Sequence, residues 1–92
     1  QVMSKKILVV DDEPDVVTYL TTLLEDAGYG TVSASNGEEG LERVRSESPD
    51  LVTLDISMPG RDGGEVFEEL RTDKELKTTP VCIITGRPEA DV

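Results

Sequence analysis

Ile7-Leu8-Val9-Val10 is apolar at every position, and Asp11-Asp12-Glu13-Pro14 follows it directly. A strand with one wet face alternates apolar and polar residues, whereas an unbroken apolar run suits a strand covered on both faces, as in a parallel sheet between helical layers. The acidic cluster and Pro14 end that strand and open a helix, because proline is tolerated in a first turn and carboxylates favour the positive helix N-terminus.

The same alternation continues along the chain. Val16, Val17, Leu20, Leu23, Leu24 and Ala27 recur at helical spacing up to Gly28, a candidate C-terminal cap. Thr31-Val32-Ser33-Ala34 is a more polar strand suited to a sheet edge, and Asn36-Gly37-Glu38-Glu39 has the form of a capping box opening a helix through Leu41 and Val44 to Ser48-Pro49. Leu51-Val52-Thr53-Leu54 reads as a third strand. After the turn-rich Pro59-Gly60-Arg61-Asp62-Gly63-Gly64, Val66, Phe67 and Leu70 mark a third helix. Lys74 and Lys77 fall in a polar connection, and Pro80 introduces a fourth strand, Val81-Cys82-Ile83-Ile84-Thr85, before Gly86-Arg87-Pro88 breaks the pattern. Short strands alternating with helices imply right-handed crossovers and a parallel sheet with helices on both faces. The apolar fourth strand suits a sheet interior, so its outer side calls for a further strand or a partner chain, and a dimer through that edge is one expectation.

Ninety-two residues allow one small domain. Twenty Asp and Glu against nine Lys and Arg give a formal charge of −11, which repels phosphate backbones and anionic lipid; direct nucleic-acid or membrane binding is not expected. Cys82 is the single cysteine, excludes an intrachain disulfide, and reads as a small hydrophobe in a reduced, cytoplasmic protein. Gln1 and Val2 ahead of Met3 read as a cloning remnant, within a tail over residues 1–5.

In a parallel sheet all C-terminal strand ends share one edge, where ligands bind. Strand one delivers Asp11 and Asp12 there, strand three Asp55, and strand four Thr85 and Gly86. Taken singly, Asp12 is equally a helix cap, Asp55 a turn residue and Thr85 a solvated strand residue. Taken together, three carboxylates repel unless a cation or a proton intervenes, and an oxygen-only donor set without histidine points to Mg²⁺ or a similar hard ion. A carboxylate beside such an ion is a nucleophile toward phosphorus, with the Thr85 hydroxyl and the Gly86 amide as donors to the phosphoryl oxygens.

The segments Ile7-Leu8-Val9-Val10-Asp11-Asp12-Glu13, Leu54-Asp55-Ile56-Ser57-Met58-Pro59-Gly60-Arg61-Asp62-Gly63 and Pro80-Val81-Cys82-Ile83-Ile84-Thr85-Gly86 resemble a response-regulator receiver domain of the CheY-like superfamily. The resemblance covers essentially all of the chain after Lys5. It implies a flavodoxin-like, doubly wound sheet of order 2-1-3-4-5, represented here as 2-1-3-4 over residues 6–92, without the fourth helix, fifth strand and fifth helix. It implies that Asp55 is the phosphoacceptor. Asp12, Asp55 and the Ser57 carbonyl would ligate Mg²⁺, with Asp11 acting through water, and Thr85 would bind the phosphoryl group and move on phosphorylation. Ser57 and Arg87 match positions that tune phosphoryl lifetime.

The implied partners are a sensor histidine kinase or phosphotransfer protein and an output domain or effector. The resemblance further implies a domain that catalyses its own phosphorylation and slow dephosphorylation without being a dedicated enzyme. Gly86 replaces the family's usual alanine, and the strand-five lysine and aromatic have no counterpart here. The alternative is a phosphorylation-independent interaction module on the same fold. A dehalogenase-like phosphohydrolase would require a second Asp where Ser57 stands.

Overall fold

The computed structural model describes residues 5–55, 63–74 and 76–84. The expectations for Ser57, Thr85, Gly86 and Arg87 lie outside the described residues.

Seven elements alternate: β1 (Lys6–Val10), α1 (Pro14–Asp26), β2 (Gly30–Ala34), α2 (Gly37–Glu47), β3 (Leu51–Asp55), α3 (Gly63–Thr72) and β4 (Val81–Ile84). The strands form one parallel sheet of order β2-β1-β3-β4, as expected from sequence. Within β1 and β3 successive side chains point to opposite faces. Leu8 and Val10 of β1 and Val52 and Leu54 of β3 join Leu41 and Val44 of α2 and Val66 and Leu70 of α3 in one buried cluster. Ile7 and Val9 are also buried, and alternation places them on the opposite face, where α1 packs against β1 and β2. The two-sided burial expected of an unbroken apolar run is present in β1.

The register of β1 against β3 is locked at the N-terminal end of the sheet. There the Lys6 amide donates to Asp50 Oδ2 at 2.8 Å and the Asp50 amide donates to the Lys6 carbonyl at 2.7 Å. The pairing runs on through Ile7 with Leu51 to Val10 with Leu54, so Asp11 and Asp55 leave the two strands at the same level.

Helix ends follow their local chemistry. Gly28, at φ +100°, follows α1 and its C-cap Ala27; the Gly28 amide donates to Glu25 O and the Tyr29 amide to Leu24 O, the paired bonds of a Schellman cap. The cap read from Gly28 is therefore present. At the start of α1 the cap position belongs to Glu13, without a side-chain cap bond, and not to Asp12. At the end of α2, Ser48 takes the left-handed conformation and donates its amide to Val44 O.

Two sequence expectations are corrected. Cys82 is exposed, not a packed hydrophobe: β4 ends the sheet among the described residues, while α1 packs on β1 and β2 at the other end. The connection holding Lys74 and Lys77 is not purely polar, because Leu76 is buried in the main cluster. Arg71 braces that connection. Its guanidinium lies 5.0 Å from the centre of the Phe67 ring and donates to the carbonyls of Lys77 and Thr79. No helix among the described residues is long and apolar enough to cross a membrane.

Thr53 is buried in β3, and its hydroxyl has no hydrogen-bond partner among the described residues. An unmet buried hydroxyl costs about 1 to 3 kcal/mol. Thr53→Val keeps the shape and removes the polar atom, so the urea midpoint is expected to rise by the equivalent of about 1 kcal/mol with unchanged slope. A lower midpoint would show that the hydroxyl is satisfied.

Candidate functional site

Asp11 directly follows β1, and its amide donates to the Ala34 carbonyl at 3.1 Å, which ties it to the end of β2. Its Oδ1 accepts the Glu13 amide at 2.9 Å, which turns the chain into α1 and fixes the carboxylate. Asp55 is the last residue of β3, level with Ile84 of β4. Strand register thus delivers Asp11 and Asp55 to one point, and the turn into α1 brings Asp12 beside them. Each of the three offers a carboxylate oxygen, and these oxygens all lie within 4.8 Å of one another.

Two of the three are nearly closed to solvent, Asp11 at 5% and Asp55 at 7% exposure, while Asp12 is more open. Burial pushes the Asp11 carboxyl above the ordinary aspartate value. The Glu13 amide works against that rise, and the charges of Asp55, Asp12 and Glu13 add to it. Crowded, desolvated like charges are unfavourable on their own and are relieved by a proton or a cation. Three hard oxygen donors, two of them withdrawn from water, suit a small divalent ion such as Mg²⁺ better than a soft metal.

Of the residues expected at the site from sequence, Asp11, Asp12 and Asp55 are brought together. The reading of Asp12 as a plain helix cap does not hold, because Glu13 occupies that position. A cleft of about 360 Å³ opens beside the cluster, between the starts of α1 and α2, lined by Asp11, Asp12, Thr18, Ser35 and Glu39 among others. A larger groove of about 710 Å³ lies between α2 and α3, lined by Glu38, Glu42, Arg45 and Glu69, away from the three aspartates.

Glu39 was legible only as the end of a capping box. The Asn36 side chain does accept the Glu39 amide, at 2.8 Å. The Glu39 carboxylate, however, takes the amide and hydroxyl of Ser35 at 2.9 and 3.0 Å, and Arg43 at 3.3 Å. The Ser35 bonds first, and then Arg43, hold the Glu39 carboxyl below the usual glutamate value. The stabilisation it contributes is present above the ordinary glutamate pKa and is lost as pH falls through the lowered one.

Comparison with known proteins agrees with this architecture. The family described as "Response regulator receiver domain" matches residues 7–92. The alkaline phosphatase synthesis transcriptional regulatory protein PhoP of Bacillus subtilis is 46% identical over 87 residues, 95% of this chain and 35% of that protein. Protein PilH of Pseudomonas aeruginosa is 39% identical over 84 residues, covering 91% of this chain and 69% of PilH. The chain thus spans about a third of the length of PhoP. Among solved structures, the N-terminal domain of a response regulator receiver protein from Methanoculleus marisnigri aligns with a TM-score of 0.87 at 44% identity, covering 90% of this chain and 68% of that one. Chemotaxis protein CheY4 of Vibrio cholerae aligns with a TM-score of 0.86 at 30% identity, covering 97% and 76%. The shared strand order and the family match lead to one conclusion: this chain belongs to the response regulator receiver domain family, a family of signalling modules.

Proposed function

We propose that residues 6–92 act as the phosphoacceptor part of a two-component phosphorelay, with Asp55 receiving the phosphoryl group from a sensor histidine kinase or a phosphotransfer protein. The observation that carries this reading is the meeting of three carboxylates at the C-terminal edge of β1 and β3, two of them buried. A purely structural interaction module gains nothing from desolvating like charges in this way.

In this reading Asp12, Asp55 and the Ser57 carbonyl would hold Mg²⁺, with Asp11 acting through water. A bound Mg²⁺ supplies positive charge that offsets the carboxylates and the phosphoryl oxygens. The Asp55 carboxylate oxygen attacks phosphorus, the P–N bond to the donor imidazole breaks, and the nitrogen leaves with the bonding pair. Asp11 is pinned through Oδ1 by the Glu13 amide and still offers a carboxylate oxygen to the cluster. The Thr85 hydroxyl and Gly86 amide are the proposed donors to the transferred group. Thr85 reports its arrival to an output domain or effector by a shift between two populations. The chain modifies itself and slowly releases phosphate, in the cytoplasm, without acting as a dedicated enzyme.

Incubation with acetyl phosphate and Mg²⁺, followed by hydroxylamine trapping and mass spectrometry, is expected to place one acyl phosphate on Asp55, with none formed in excess chelator. Modification at another residue, or equal modification without Mg²⁺, would overturn the assignment.

A further inference from the structure

We propose that Glu39 is a positioning residue for the acidic centre: by fastening the end of β2 to the first turn of α2, it holds the backbone that presents Asp11 and Asp12 and so sets the affinity of the site for a divalent cation. The proposal rests on the phosphoacceptor reading above.

The geometry differs from that of an ordinary capping box. There, the third helical residue bonds the amide of the cap residue itself. Here the cap residue is Asn36, yet the Glu39 carboxylate passes it and accepts the amide and hydroxyl of Ser35, one residue further out. Ser35 directly follows Ala34, whose carbonyl accepts the Asp11 amide at 3.1 Å. The Asn36 Oδ1 in turn accepts the Glu39 amide, and the Asn36 carbonyl accepts the Gly40 amide at 2.9 Å, closing residues 35–40 into a ring of hydrogen bonds.

That ring grips the tip of β1 at a second point. A Cβ on Gly40 would stand 3.1 and 3.2 Å from the two methyl groups of Val10, so the backbone of the first turn of α2 rests on the residue just before Asp11. The amide of Asp11 and the side chain of Val10 are therefore both referred to the segment that Glu39 ties. Glu39 also lines the same cleft as Asp11 and Asp12. Groups hydrogen-bonded directly to metal-binding side chains change metal affinity by about 10- to 100-fold when removed, so Glu39, one link further out through Ser35, belongs at the lower end of that range.

The test titrates Mg²⁺ alone into the full chain by calorimetry, comparing wild type with Glu39→Ala, Glu39→Gln and Val44→Ala. Val44→Ala is a control in the middle of α2 that lowers stability by leaving a buried cavity. Glu39→Ala is expected to weaken Mg²⁺ binding by about tenfold. Glu39→Gln should recover most of that loss, because its amide oxygen still accepts from Ser35. Val44→Ala should leave the affinity unchanged despite a larger fall in Tm. Without metal, the Asp11 amide should exchange its hydrogen faster in Glu39→Ala than in Val44→Ala. Wild-type affinity in Glu39→Ala, or equal losses in Glu39→Ala and Val44→Ala, would overturn the positioning role. Failure of the wild type to bind Mg²⁺ would overturn the phosphoacceptor reading, and the Asp11 exchange rate would then decide whether Glu39 organises the strand tip.

Discussion

Asp55→Asn is expected to abolish acyl phosphate formation and, in the absence of metal, to make the chain more stable than wild type. The first effect follows from the proposed role, since an amide is not a phosphoryl acceptor. The second follows from charge. At separations within 4.8 Å, each like-charge contact costs about 1 kcal/mol in water and about 3 kcal/mol at an effective dielectric constant near 20. Removing one of three buried or half-buried charges is therefore expected to raise Tm by about 5 °C or more for a domain of this size.

The pH dependence has a defined sign. Asp11 has a raised carboxyl pKa when folded, so the folded state holds that proton more tightly than the unfolded chain. Stability from this group is greatest below the ordinary aspartate value and is lost as pH rises through the raised one, leaving a penalty at neutral pH. Asp55 contributes to that rise, so Asp55→Asn flattens the metal-free dependence in this window. Thermal melts from pH 4 to 7 in chelator measure both effects; a Tm at pH 7 below that of wild type would show that Asp55 stabilises the fold through its other contacts.

Leu54→Ala is expected to carry the largest cost to folding. Leu54 has no exposed surface and sits in the cluster that joins β1 and β3 to α2 and α3. Truncating a fully enclosed leucine removes its contacts and leaves a cavity, at about 2 to 5 kcal/mol. That is a large share of the roughly 5 to 15 kcal/mol typical of a whole domain. Urea denaturation gives the value directly; a loss below about 1 kcal/mol would mean that the helices do not seal this face of β3.

The parts legible in sequence were those written in unbroken runs. Ile7 to Val10 announced a strand covered on both faces, and Asp11, Asp12 and Asp55 stood where such strands end, so their meeting followed from parallel register. Features that depend on a single residue meeting a distant one were not legible. Leu76 is one apolar residue among polar neighbours and has no periodicity to reveal its burial. Thr53 reads as an ordinary strand threonine, and only the enclosing layers make its hydroxyl unusual. Cys82 lies in a run as apolar as β1, but exposure is set by what packs across a strand, which its own composition does not encode. The Asn36-to-Glu39 spacing signalled a cap, while the reach of the carboxylate to Ser35 depends on where β2 stops.

The arrangement of β1 beside β3, with β2 placed outside them, has a consequence for how the domain comes into being. Residues 11 and 55 share a locus only after the intervening helix–strand–helix has wrapped around, so no peptide shorter than that span can bring the acidic cluster together. Occupancy and native topology are thermodynamically linked: a ligand that selects the assembled rim draws the whole polypeptide toward its finished state, by an amount set only by concentration relative to Kd.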